Sequence, residues 1–159
     1  MRVALLDPTD QPDGLADAIA QAGDDVAVVS GHPLPRAFTD RRGYEEHLGT
    51  VPSTVAGLVR GGFDVAHAFQ PASAWAAVLA RRLGGPPVIF SLARTPTRAW
   101  LVARRYRLAI ALKAAAEADA CSAPSAEAAV AFRRYLLREP TVVGEPESYR
   151  KLYRQVTRG

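Results

Sequence analysis

The chain predicts an α/β fold: a single Rossmann-like, doubly wound parallel β-sheet with helices on both faces. Three observations carry that expectation. Short, nearly continuous apolar runs such as RVALL (Arg2 to Leu6) and VIFS (Val88 to Ser91) alternate with stretches of helical period along the chain, and strands apolar on both faces belong to a parallel sheet covered on each side. FDVAHAFQP, then ASAWAAVLARRLGG, then PPVIFSLAR read as strand, helix, strand, over about 30 residues, the length of one βαβ unit. A length of 159 residues with 48% apolar and 23% charged side chains suits one soluble domain with a full core.

Taken in order, Arg2 to Leu6 is a strand ended by DPTDQPDG, whose Pro and Asp residues break structure and whose Asp13 can cap a helix. Leu15, Ala18, Ile19 and Ala22 keep helical spacing up to Gly23, where a left-handed stop is expected. Asp25 to Ser30 is a second strand, so the first two strands pair in parallel through a right-handed crossover. Residues 31 to 53 show no sustained period, with one or two helical turns possible at Tyr44 to Leu48; a short helix follows at Val55, Leu58 and Val59, closed by Gly61 and Gly62. FDVAHA is the third main strand. Beyond it the spacing predicts helix Ala72 to Leu83, strand Val88 to Ser91, one long helix Thr97 to Ala118, strand Ala120 to Ala123, helix Ser125 to Leu137 and strand Thr141 to Val143. The domain is expected over residues 1–144, with 145–159 a helical C-terminal tail presenting Tyr149, Leu152, Tyr153 and Val156 on one side.

Composition narrows the function classes. The first apolar run is too short for a signal peptide, and no stretch reaches the roughly 18 apolar residues of a membrane span, so a cytoplasmic location is expected. Cys121 is the only cysteine and the three histidines are scattered, so neither a disulfide, a zinc site nor any other metal site is expected. Residues 1–70 carry 5 basic against 10 acidic side chains and residues 71–159 carry 15 against 6, a −5 half and a +9 half within a net charge of +4. Such a field draws phosphates, acidic lipids or a partner's acidic face, although 18 of the 20 basic residues are Arg, as GC-rich coding also yields.

In a doubly wound sheet the ligand crevice opens beyond the carboxyl ends of the strands. That selects Asp7 and the loop to Gly14, His67 to Gln70, Ser91 to Arg98, and Ser125. A dinucleotide site wants G-x-G-x-x-G in the first turn; DPTDQPDGLAD offers one glycine, carries Asp7, Asp10 and Asp13, which repel phosphate, and no Walker lysine occurs. No cofactor is expected. His67, at a strand end, reads either as a hydrogen-bonded structural residue or as a ligand-facing group. Arg94 and Arg98, beside a helix start, are the best anion-binding pair. The segment Arg94 to Ala116 mixes arginines with Trp100 and Tyr106, as a helix lying on anionic lipid would, yet Leu101, Leu108 and Leu112 equally suit ordinary packing. No aromatic stacking platform accompanies the arginines, so nucleic acid is not an expected partner.

FDVAHAF, LARRLGGPPVIFS and EADACSAPSAEAAVAF together resemble the N-terminal domain of GT-B-fold glycosyltransferases of the family 4 type. Asp64, Val65, His67 and Ala68 match that family's D-V-V-H-A-H strand end; Pro87, Val88, Ile89 and Ser91 follow its P-V-V-V-T-V-H-G strand; Ala118, Asp119 and Ser125 follow its A-D-x-V-x-x-x-S junction. The resemblance covers nearly the whole chain. It implies an acceptor-side half of a glycosyltransferase that moves a hexosyl group from a nucleotide sugar. Implied site residues are His67 as catalyst and Gly14, Gln70, Arg94, Arg98 and Ser125 as substrate contacts.

The sequence departs from the family pattern at several points. Ala93 and Arg94 stand where the family has histidine and glycine, Phe69 replaces a second histidine, the usual double glycine is reduced to Gly14, and Gly144-Glu145-Pro146 replaces a P-N-G-V-D turn. The domain that grips the nucleotide sugar is expected to be missing, so activity is expected only with a partner, a donor-binding-domain protein or a second copy. The acceptor would be a sugar or a lipid-linked substrate. The alternative expectation is a noncatalytic binding or assembly module of the same fold, peripheral at an anionic membrane surface.

Overall fold

The computed structural model describes residues 1–7, 14–29, 43–92, 94–103 and 106–158. Six strands, β1 (Arg2–Leu6), β2 (Asp25–Val29), β3 (Val65–Ala68), β4 (Val88–Ser91), β5 (Ala120–Ala123) and β6 (Thr141–Val142), form one sheet in the order β2-β1-β3-β4-β5-β6. Every pairing is parallel, as the apolar runs imply. Seven helices lie among the described residues: α1 (Leu15–Gln21), α2 (Gly43–Arg60), α3 (Pro71–Arg82), α4 (Arg98–Val102), α5 (Arg107–Glu117), α6 (Ala126–Leu136) and α7 (Pro146–Arg158).

The period of two along each strand divides the interior into two cores. Val3, Leu5, Val65 and Ile89 point to the face covered by α1 and α7, where they meet Leu15, Ile19, Tyr149, Leu152 and Tyr153. Ala4, Leu6, Ala66, Ala68, Val88 and Phe90 point to the other face, against α2, α3, α5 and α6. Much of the alanine in the composition sits here: Ala74, Ala77, Ala111, Ala114 and Ala115 are fully buried, which lets α3 and α5 lie close to the sheet and to each other. Cys121 joins this core as a small apolar side chain, and burial pushes its thiol up to about 12. Among the described residues no helix is long and apolar enough to cross a membrane.

At the amino edge of the sheet, two aspartates fix strand register. The Asp64 carboxylate accepts the Arg2 N–H at 2.6 Å, and that of Asp119 accepts the Val88 N–H at 2.7 Å. Each holds a strand to the neighbour that precedes it in the chain. Gly23 closes α1 with φ 83, its N–H on the Ala20 carbonyl and the Asp24 N–H on that of Ile19, the paired bonds that satisfy a helix's last carbonyls.

Two expected elements differ. Residues 43–60 form one 18-residue helix with Pro52 inside it, not a turn and a separate short helix. Val55 and Leu58 of α2 pack into the core, and Gly49 and Pro52 are what make the sequence read as two pieces. The long helix expected over Thr97 to Ala118 is two, α4 and α5. Between them the Arg107 guanidinium donates to the Trp100 carbonyl at 2.6 Å and lies 4.4 Å from the Trp100 ring. The segment from Glu145, expected as a helical tail with Tyr149, Leu152, Tyr153 and Val156 on one side, is helix α7, and that side completes the core on the α1 face. Its Arg150 reaches Asp24 at 2.9 Å and the Ala22 carbonyl at 3.0 Å. Ser30 and residues 31–42, where the strand end and an unpatterned connection are expected, lie outside the described residues.

Leu137 ends α6 in the left-handed region, φ 56 and ψ 25, with its side chain 82% exposed. A side chain with a Cβ is strained there, and this one recovers nothing by packing. Leu137→Gly is therefore expected to stabilise the domain by about 1 kcal/mol, read as a raised midpoint in urea. An unchanged or lowered midpoint would contradict the strain argument.

Candidate functional site

Strand β1 lies between β2 and β3. From it the chain crosses in one direction over α1 to β2, and later elements cross in the other direction over α3 and α5. Right-handed crossovers in opposite directions need opposite faces, and α1 does lie on the face opposite α3 and α5. The reversal falls at the carboxyl ends of β1 and β3, the usual position of a ligand in such sheets.

Because all six strands run the same way, the segments following them share one edge. After β1 comes Asp7, with φ 51, a left-handed conformation uncommon outside glycine and asparagine or aspartate. Gly14 then precedes α1 with φ 90, exposed, in a conformation only glycine adopts without strain. Asp10 and Asp13 fall outside the described residues. After β3, Gln70 precedes α3 in extended conformation with Pro71 as the first helical residue; its side chain makes no capping bond, and its carbonyl accepts the Ser73 hydroxyl at 3.0 Å.

After β4, Arg94 is exposed, and Arg98 opens α4 behind Thr97, whose hydroxyl oxygen accepts the Trp100 N–H at 3.2 Å. Ala93 lies outside the described residues. After β5, Ser125 caps α6, its Oγ accepting the Ala128 N–H at 3.1 Å, which leaves its O–H proton for another acceptor. Neighbouring strands lie about 4.8 Å apart. Gly14, Gln70, Arg94 and Ser125 thus follow four consecutive strands of the sheet along one rim.

His67 is not on that rim. It is 0% exposed, with its ring 4.0 Å from that of Phe69 and 5.5 Å from that of Tyr149. Nδ1 lies 2.8 Å from the Tyr153 hydroxyl and Nε2 lies 2.7 Å from Ser91 Oγ, which in turn contacts Ser122 Oγ. With Nδ1 accepting the phenol proton, Nε2 carries the ring proton and donates to Ser91, whose hydroxyl can donate to Ser122. Burial pushes the imidazolium down to about 3, so the ring is neutral wherever the protein is ordinarily handled. Both ring nitrogens are engaged inside the core, so any part His67 plays in chemistry passes through the groups around it.

The sequence pointed to the rim but not to this buried row. Its signal was present nonetheless: His67, Ser91 and Ser122 are the polar side chains buried within otherwise apolar strands. Tyr153 could not be joined to them by spacing, since it lies 86 residues from His67 in the chain. The motif aspartates Asp64 and Asp119 stand at the opposite edge of the sheet, where their carboxylates accept backbone N–H groups.

A family model described as Glycosyltransferase Family 4 matches residues 13–144. Among solved structures, a sucrose-phosphate synthase structure from Thermosynechococcus elongatus superposes with a TM-score of 0.70 at 17% identity, covering 98% of each chain. A second structure of that synthase gives 0.65 at 15% identity over 89% of this chain and 46% of its own. HepE from Anabaena, in complex with UDP and glucose, gives 0.58 at 15% identity over 98% of this chain and 50% of its own. The chain thus spans about half the length of the last two, and identities this low establish a shared fold. A comparison with curated proteins gives no match.

Proposed function

The chain belongs to Glycosyltransferase Family 4, and we propose that its residues form the acceptor-side lobe of a GT-B glycosyltransferase that works with a separate donor-binding lobe. The observation that carries this reading is the rim: Gly14, Gln70, Arg94 with Arg98, and Ser125, each following the carboxyl end of one of four adjacent parallel strands. It combines one uncharged amide, one hydroxyl, a glycine backbone and two guanidinium groups, a set suited to sugar hydroxyls with a phosphate or carboxylate nearby.

In the proposed reaction an acceptor hydroxyl oxygen bonds to the anomeric carbon of a nucleotide sugar as the bond from that carbon to the diphosphate oxygen breaks. The acceptor proton leaves to a base, and the nucleoside diphosphate departs with the bonding pair. This lobe's share is orientation of the acceptor: Gln70 to a hydroxyl, Arg94 and Arg98 to an anionic group, Gly14 allowing backbone approach, and Ser125 donating its proton. The developing charge on the diphosphate needs donors from the second lobe. The chain's span of about half of the HepE and sucrose-phosphate synthase chains supports a lobe of this kind. We propose as its partner a protein carrying the donor lobe, or a second copy of this chain.

The test is release of nucleoside diphosphate from a panel of nucleotide sugars, with lipid-linked and free sugar acceptors, by the purified chain alone and after addition of a family 4 donor lobe. No release alone and release on mixing is the expected result. Arg94→Ala and Arg98→Ala should each raise the acceptor KM by about tenfold with kcat little changed, as for loss of one charge-assisted bond in binding. Transfer by the chain alone would overturn the two-lobe reading.

A further inference from the structure

Three polar side chains cross the sheet beneath the rim in a single row, His67 on β3, Ser91 on β4 and Ser122 on β5, and Tyr153 of α7 closes it. All four are buried. The row lies on the face shared with Val65, Ile89, Tyr149 and Leu152, where apolar side chains would fill the same space without polar groups to satisfy. Each strand member stands three residues before a rim residue: His67 before Gln70, Ser91 before Arg94, Ser122 before Ser125. Parallel registry keeps the row in line, Ser91 being paired with Ser122, and His67 with Ile89 two residues before Ser91.

The geometry points to Tyr153 and His67 as positioning residues: the hydrogen-bonded row ties α7 to three successive strand ends and so sets the places of Gln70, Arg94 and Ser125 together. The inference rests on the rim being the acceptor site, but its physical content is a mechanical coupling that exists with or without transfer. One strand end cannot shift without breaking a buried hydrogen bond to the next, and a buried donor or acceptor left alone is costly. Cross-strand bonds of this kind act as a unit when they polarise one another. Helix α7 then does more than cover a face, because its Tyr153 phenol is itself one end of the row.

Amide hydrogen exchange on the whole chain, without substrate or partner, tests the coupling. The variants are Tyr153→Phe, which removes one hydroxyl, Ser122→Ala at the far end, and both together. Each single variant is expected to speed exchange at Gln70, Leu92, Arg94 and Ser125 at least fivefold more than at Arg2 and Val88, the amides clamped by Asp64 and Asp119 at the opposite edge. In the double variant the rim rates should stay within about twofold of the faster single, since breaking the row at a second point adds little once it is broken. Equal acceleration at both edges, no acceleration at the rim, or multiplied effects in the double variant would each overturn the proposal. Exchange is read without any transfer assay, so the acceptor reading and the coupling fail separately.

Discussion

Ending the chain at Gly144 is expected to abolish cooperative folding. The truncation removes α7 and with it Tyr149, Leu152 and Tyr153, all buried against Val3, Leu5, Leu15, Ile19 and Val65. Loss of one large buried side chain costs about 3–5 kcal/mol, and the total stability of a domain is about 5–15 kcal/mol, so losing three together leaves little or nothing. The polar side fails as well. His67 Nδ1 loses the phenol, and Asp24 loses Arg150, whose guanidinium, with the Met1 ammonium, holds that carboxyl below its ordinary value despite a burial that alone would raise it. Graded substitutions separate the contributions. Tyr153→Ala should cost about 3–5 kcal/mol, and Tyr153→Phe about 1–2 kcal/mol, since it keeps the ring and leaves one buried acceptor unpaired. Circular dichroism melts of the three proteins give the order directly. A truncated chain melting cooperatively near the full-length temperature would refute the assignment of α7 to the core.

Stability should also fall on mild acidification, and His67 sets the window. Its imidazole is held neutral in the folded protein, pushed down to about 3 by burial, while the ordinary value of 6.5 applies once the chain unfolds. Below about pH 6.5 the unfolded state therefore takes up a proton that the folded state refuses. The contribution is fully present above that pH and is lost as pH drops, by about 1.4 kcal/mol per unit, giving about 2 kcal/mol less stability at pH 5 than at pH 8. Asp24 and Glu117 act lower. Both carboxyls are held below their ordinary values of 3.8 and 4.5, Glu117 by Lys113 and Arg82, so what they contribute is lost only as pH falls through and below that range. Urea unfolding between pH 5 and 8 isolates the histidine. His67→Gln should be less stable at pH 8 and should flatten the dependence over the window; a slope unchanged in the variant would assign it to other groups.

The sequence carried the architecture because its evidence is local. A strand buried on both faces has to be apolar at every position, and VALL, VAHA and VIFS are nearly so; Gly23 marks a helix stop because its backbone needs φ 83. Where local evidence conflicted with a contact, the sequence misled. Leu101, Leu108 and Leu112 keep one helical period across a stretch that forms two helices, and Arg107 there binds the Trp100 carbonyl, a side chain turning back on the backbone that no period encodes. In α2 the apolar positions Tyr44, Leu48, Val55 and Leu58 keep helical spacing, but Gly49 and Pro52 between them argue against the single helix that is there.

The candidate site divides in the same way. The rim was legible, since the position of a residue after a strand fixes its edge once every strand is parallel; the order of the strands came from the structure. By itself the sequence determined the α/β layering, the parallel sheet, the shared edge of Gly14, Gln70, Arg94, Arg98 and Ser125, and the resemblance that proved to be family membership. Only the tertiary structure decided what His67 is. A histidine at a strand end can face solvent or core, and the choice was made by α7, which returns across the sheet to set a phenol 2.8 Å from its ring. Contacts between residues far apart in the chain depend on how whole elements dock, and docking is settled by the summed fit of many side chains, which no short window of sequence contains.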